Sequence, residues 1–191
     1  MATAVGMCSD ALVLIGDNPI SSLKDEPAAS VMYPRAYRAL LSCFPWPWAM
    51  KEQRLSRNTE EPDELLDFEH SFSLPADHVR TLRVIPNNDY RRIGDKLFSD
   101  EEELLIEYVF TAPESKIPFY FEQAMVYKLA FEFSKSVTED DSASARFYQI
   151  AMDAAQEAKT IASQGVPAVE IQDSPFINPY YSTDLYVNRY R

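Results

Sequence analysis

His70 and His78 are the only two histidines in the chain, and a carboxylate precedes each of them, Glu69 and Asp77. Imidazole and carboxylate are common zinc ligands, yet structural sites bring their ligands in close pairs such as C-x2-C or H-x3-5-H. The eight-residue step from His70 to His78 matches neither, so both read as ordinary strand or turn residues and no metal site is expected. Ser71 and Ser73 lie near enough to suggest a Ser/His/Asp triad, but no G-x-S-x-G elbow occurs to present a nucleophile. The two cysteines, Cys8 and Cys43, fall on apolar faces of predicted helices, where a free thiol packs as a small hydrophobe. Acids run together at Glu60-Glu61-Pro62-Asp63-Glu64 and at Asp100-Glu101-Glu102-Glu103. Two-metal hydrolysis needs carboxylates presented into a shaped cleft, whereas runs of acids on turns are solvated. Trp46-Pro47-Trp48 has the composition of a ligand-stacking pair, but at a helix-to-strand junction both rings are better employed sealing a core. No catalytic residue, cofactor or enzyme activity is expected from these constellations.

The composition narrows the classes further. The chain has 191 residues, 46% apolar and 25% charged, which suits a soluble globular domain with a core that needs no disulfides. Its net charge of −12 disfavours wrapping a phosphate backbone by counterion release. Four glycines stand where average usage would place about thirteen, which excludes glycine-rich phosphate loops. The first residues lack a basic start and a continuous apolar run, so a reducing, intracellular site of synthesis is expected. The longest apolar runs, such as Ala11–Ile15, are far shorter than the ~20 residues that span a bilayer.

Four helices, a strand-rich middle and a tail would position these residues. Val5, Cys8, Leu12 and Ile15 recur at helical steps over Thr3–Ile15, with Gly16 in place for a left-handed stop. Asp25 as a cap and Pro27 in a first turn predict a second helix to about Phe44, kinked at Pro34 and ended by Pro45 and Pro47. Strand-like runs follow at Trp48–Leu55, Phe68–Leu74, Val79–Ile85, Tyr90–Phe98 and Leu104–Phe110, the pattern of an antiparallel sheet or small barrel. Arg80, Arg83, Arg91, Arg92 and Lys96 lie in those strands and the acidic runs between them. This is either a solvated surface of mixed sign or an electrostatic contact between subunits. Pro118 opens a third helix in which Phe121, Met125, Leu129 and Phe133 keep a four-residue step, predicted to be the most buried. Glu139-Asp140-Asp141 starts a fourth helix with the stripe Ala143, Phe147, Ile150, Ala154, Ala158 and Ile161, ended by Gly165 and Pro167. The remainder, Val166–Arg191, has no sustained period and holds four of the eleven tyrosines in its final twelve residues. Such a tail cannot bury its aromatics against itself and calls for a partner.

Five motifs in this order resemble the tail tubular protein A family, the head-to-tail adaptor or gatekeeper proteins of short-tailed bacteriophages. Ala11–Asp25 is similar to the family's A-x-x-x-L-G-x-x-P-I-x-S-L-x-D opening, with Ile15 in place of the usual leucine. Trp46-Pro47-Trp48-Ala49, followed by Arg54-Leu55, resembles the W-x-F/W-A junction after the second helix. Phe72–Asp77 resembles an aromatic-x-L-P-x-D strand and turn, with Leu82-Arg83-Val84 after it. Tyr90–Leu97 is similar to the family's short hairpin and Glu107-Tyr108-Val109 to its last strand. The third helix departs from the family in beginning Ile117-Pro118 rather than Asp-Pro, and residues after Gly165 have no counterpart in it.

The resemblance implies an α+β fold: a four-helix bundle from residues 1–47 and 112–164, with an antiparallel β module at 48–111 inserted between helices two and three; residues 165–191, which it does not cover, are read from their own composition as an extended arm. It implies a structural virion protein without catalysis, a dodecameric ring between portal and tail nozzle with a central channel for DNA retention and ejection. Portal protein, nozzle protein, tail fibres and transiting DNA are the partners so implied, at the head–tail interface of a virion assembled from host-cytoplasmic subunits. The acidic charge suits a conduit that DNA crosses without sticking. Tyr180, Tyr181, Tyr186, Tyr190 and Arg191 are expected to anchor the arm on the portal or an adjacent subunit, tyrosine giving large contact area at modest rotamer cost. Glu101, Glu102, Glu103, Arg91 and Arg92 are the candidates for channel or inter-subunit electrostatics. A head-completion or tail-terminator ring of a long-tailed phage is the nearest alternative, and a monomeric acidic hydrolase or binding domain a more distant one.

Overall fold

The helices begin and end where local chemistry dictates. The computed structural model describes residues 2–59, 67–86, 89–136 and 141–165. Helix α1 (Ala4–Leu14) is capped by the Thr3 side chain, which accepts from the Gly6 N–H. It stops at Gly16, whose φ of 86° is the left-handed conformation that side-chain-bearing residues avoid. A Cβ at Gly16 would meet no atom within 4 Å, so backbone strain alone governs substitution there. Gly16→Ala is expected to lower unfolding stability by about 1 kcal/mol, measured by urea denaturation.

Helix α2 (Pro27–Ser42) runs through Pro34 and is capped by Glu26, which accepts from Ala28 N, rather than by Asp25. Proline in the first helical position puts the cap one residue before it. Asp25 instead closes the preceding turn, accepting from Ser21 N at 3.0 Å and Ser22 N at 2.8 Å. Because α2 ends at Ser42, Cys43 lies past the helical face and is exposed, contrary to the expected buried filler; Cys8, fully buried, matches it.

A 3-10 turn at Pro47–Ala49 leads into the strands, six among the described residues: β1 (Met50–Leu55), β2 (His70–Ser73), β3 (His78–Ile85), β4 (Tyr90–Ile93), β5 (Lys96–Ser99) and β6 (Leu104–Phe110). They form two antiparallel three-stranded sheets, ordered β1-β6-β3 and β2-β5-β4. The run Tyr90–Phe98, read as one strand from its composition, is a hairpin turning at Gly94, with φ of 61°, and Asp95. An Arg57–Phe72 bridge continues the chain from β1 onto the edge of the second sheet.

Helix α3 (Phe119–Ser136) is the centre of the helical part. Phe121, Met125, Leu129 and Phe133 are each fully buried, and α3 packs against α1, α2 and α4. Helix α4 (Asp141–Gln164) packs chiefly on α3 and buries Ser144, Phe147, Ala158 and Ala162. Of the predicted stripe, Phe147 and Ala158 are buried, Ala143, Ile150 and Ala154 are half-buried against the core, and only Ile161, 41% exposed, falls outside it. Glu139 and Asp140 lie outside the described residues; Asp141 is in α4's first turn. Among the described residues no helix is long and apolar enough to cross a membrane.

Candidate functional site

The densest polar constellation sits where the Pro75-Ala76-Asp77 turn meets the first sheet. Strand pairing places Lys51 of β1 and Thr81 of β3 opposite Tyr108 of β6, so three strands deliver side chains to one row. The buried Tyr108 hydroxyl reaches Asp77 Oδ1 at 3.0 Å and Gln53 Oε1 at 3.1 Å, while Lys51 Nζ donates to Asp77 Oδ2 at 2.6 Å. Lys51 also lies 3.9 Å from the centroid of the Phe110 ring. His78 stacks on Tyr108 with centroids 5.6 Å apart, and its Nε2 bonds the Thr81 hydroxyl at 2.8 Å. Although burial opposes it, hydrogen bonds from Lys51 and Tyr108 hold the Asp77 carboxyl below its ordinary value. Burial, then the Asp77 carboxylate, pushes the Tyr108 hydroxyl up to about 12. Burial also lowers His78, helped by the Arg92 and Arg38 charges, so the imidazole is neutral at pH 7.

A second constellation ties the helices to the sheet. Glu114, in a 3-10 turn after β6, accepts from Ala4 N at 2.8 Å and the Tyr33 hydroxyl at 3.4 Å. Its carboxylate thereby sits at the N-terminus of α1, where the helix dipole favours negative charge. Tyr33 and Tyr37 stack in parallel planes 5.9 Å apart, and the Tyr37 hydroxyl donates to Ala112 O at 2.7 Å. Burial, then Glu114, drives the Cys8 thiol and the Tyr37 hydroxyl each up to about 12, and Tyr33 also upward. Cys8 therefore stays a neutral thiol at pH 7, without nucleophilic character.

The residues weighed for chemistry are dispersed. His70 belongs to the second sheet, 3.3 Å from Arg57, while His78 belongs to the first. Ser71 and Ser73 both bond the Asn58 amide, at 3.0 Å each, so the structure does not assemble a triad around either. Among the described residues no three metal-ligating side chains are grouped to hold a metal ion. Trp46 is fully buried, its Nε1 donating to Leu40 O at 2.9 Å, and its ring stands edge-on to Phe121 at 5.0 Å. Trp48 is half-buried against the same ring at 4.8 Å, so the pair seals the core as its position suggested.

Of the electrostatic candidates, Arg91 and Arg92 lie on β4, an edge strand exposed along its whole length. Glu102 and Glu103 are exposed and Glu101 half-buried on the link from β5 to β6. Glu103 pairs with Arg54 at 2.6 Å, and Arg83 of β3 with Glu107 of β6 at 3.5 Å. Part of the mixed-sign surface is thus satisfied within one chain. Tyr180, Tyr181, Tyr186, Tyr190 and Arg191 lie outside the described residues, as do Glu60–Glu64. Residue reading missed the Asp77 and Glu114 constellations as networks; Asp77 was weighed only beside His78, Tyr108 was visible only as a motif letter, and Glu114 carried no local signal.

No protein-family model matches the chain, and no curated protein matches it.

Proposed function

We propose that the protein is a structural virion component, a head-to-tail adaptor whose copies form a ring of twelve between portal and tail nozzle around a channel for DNA. The observation that carries this reading is where the five resembling motifs fall. Gly16 ends α1, Trp46 seals the junction of helices and sheets, Asp77 pins a turn to the first sheet, Gly94 turns the hairpin, and Tyr108 centres the polar row. Similarity at the residues that set the joints between elements supports a shared scaffold, whereas similarity in generic core positions would not. In this reading the four helices make one bundle, the strands an inserted β module, and residues 165–191 an arm whose tyrosines and Arg191 bind the portal or a neighbouring copy. In this reading the exposed β4 edge, with Arg91 and Arg92, supplies cationic surface for acidic surface of an adjacent copy. Such pairing would offset part of the repulsion among chains of charge −12.

Native mass spectrometry and negative-stain imaging of the purified chain, alone and with portal rings, test this. A closed ring, stabilised by the portal and weakened in portal docking by removal of residues 178–191, is the expected result. A monomer at every concentration, with the portal present, would overturn it.

A further inference from the structure

We propose that the groove between α2, α3 and α4 is the docking site for helix α1 of a second copy of this chain. The groove holds about 290 Å³ and is lined by Phe131, Tyr148 and Met152, with Cys43 and Lys159 in its wall. Tyr148 and Met152 are 52% and 53% exposed, and the Phe131 ring meets Tyr148 at 5.4 Å. An apolar strip of this kind marks a surface that something covers. Its counterpart lies on α1. The inner face of that helix, with Met7, Cys8, Ala11 and Leu12, is buried in the chain's own core. The outer face presents Asp10, Val13 and Leu14, one helical turn apart and all exposed.

Charge, length and placement select this occupant. In a chain of net charge −12, two lysines and no carboxylate line the groove. Lys128 pairs with Glu132 at 3.5 Å, whereas Lys159 has no ion pair among the described residues. Asp10 has none either, and it is the only charged residue of α1. Helix α1 has 11 residues and Lys159 lies 11 residues after Tyr148, so helix and groove wall are each about 16 Å long at ~1.5 Å per residue. Laid along α4, Val13 and Leu14 cover Tyr148 and Met152 while Asp10 faces Lys159. Helices α1 and α4 each pack on α3 rather than on one another, so the docking helix and the groove occupy different flanks of one chain. Two unlike patches that fit each other make a head-to-tail contact, which leaves a helix and a groove open for further copies, as a ring requires. The contact rests on the proposed ring assembly and names the surfaces that join its copies.

Cys43 supplies the probe, since it lies exposed in the groove wall while Cys8 is buried. In the full chain carrying Val13→Cys, with portal rings present, mild oxidation is expected to join residue 13 of one chain to Cys43 of another, read by peptide mapping and non-reducing electrophoresis. Val31→Cys, at an exposed position of α2 outside both patches, should form its bond to Cys43 of another chain at least about tenfold less. Equal yields from the two positions, or bonds only within one chain, would overturn the contact. Charge reversal gives a readout that needs no cysteine: Asp10→Lys and Lys159→Glu should each weaken assembly at least about tenfold, and the double variant should recover most of the loss. Native mass spectrometry over a concentration series, again with portal rings, measures it. If the natural chain forms its ring and both single variants assemble unchanged, or the double variant recovers nothing, this contact is overturned and the ring reading stands. A natural chain that stays monomeric beside the portal removes both.

Discussion

Trp46→Ala is expected to lower stability by about 3–5 kcal/mol and the thermal midpoint by on the order of 10 °C for a chain of this size. The ring is fully buried where the helices hand over to the sheets, and it meets Phe44 at 5.1 Å and Phe121 at 5.0 Å, both edge-on. Phe121 in turn stands edge-on to Tyr37 and Trp48, so a cavity at Trp46 loosens one continuous aromatic cluster joining α2, α3 and the approach to β1. Truncation also orphans the Leu40 carbonyl that its indole N–H satisfies. Trp46→Phe separates the two contributions: it retains most of the packing and should cost about 1–2 kcal/mol, chiefly for the lost hydrogen bond and residual cavity. Urea denaturation followed by circular dichroism checks both, and equal losses for the two variants would refute the packing account.

Asp77→Ala is expected to cost about 1–2 kcal/mol at pH 7, after discounting for partial exposure of the Lys51 pair. The carboxylate holds Lys51 and the Tyr108 hydroxyl at once, and its side chain is 34% exposed. Its pKa is lowered in the folded state, so its contribution is fully present above the unfolded carboxyl value of 3.8 and is lost as pH falls below that through the folded value. The stability difference between natural chain and variant should therefore be constant from pH 7 to about pH 5 and shrink below about pH 4. Paired denaturation curves across that range test it. A gap that grew on acidification would show the sign to be wrong.

How much of this was legible beforehand differs by element. Local signals were sufficient for α3, because a four-residue apolar step has no other economical reading and all four of its residues are buried. They were sufficient for the stop at Gly16 and for β6, each set by residue type in a short window. They failed at Tyr90–Phe98, where a β-rich composition is shared by one long strand and a tight hairpin, and only the Gly94 backbone distinguishes them. The motif resemblance anticipated that hairpin where periodicity did not. On α4 local signals found the core-facing stripe and overran it only at Ile161, near the end of the helix, which is exposed.

The candidate sites divide along the same line. Trp46 announced itself by position between two prolines at a change of period, and its burial followed. The Asp77, Tyr108, Lys51 and Gln53 cluster could not be read from spacing, because Asp77 and Tyr108 are 31 residues apart and Tyr108 and Gln53 are 55 apart. Glu114 meets Ala4 across 110 residues of chain. From the chain alone came the class, α+β and acidic, the order of its helices and strands, and the most buried helix, since these rest on composition and on periodicities within a few turns. Tertiary structure decided which polar groups pair, which thiol is buried and which is exposed, and which helix face stays uncovered. Each of those depends on what another segment brings to the same place, and strand register and helix packing, not neighbouring residues, make that choice.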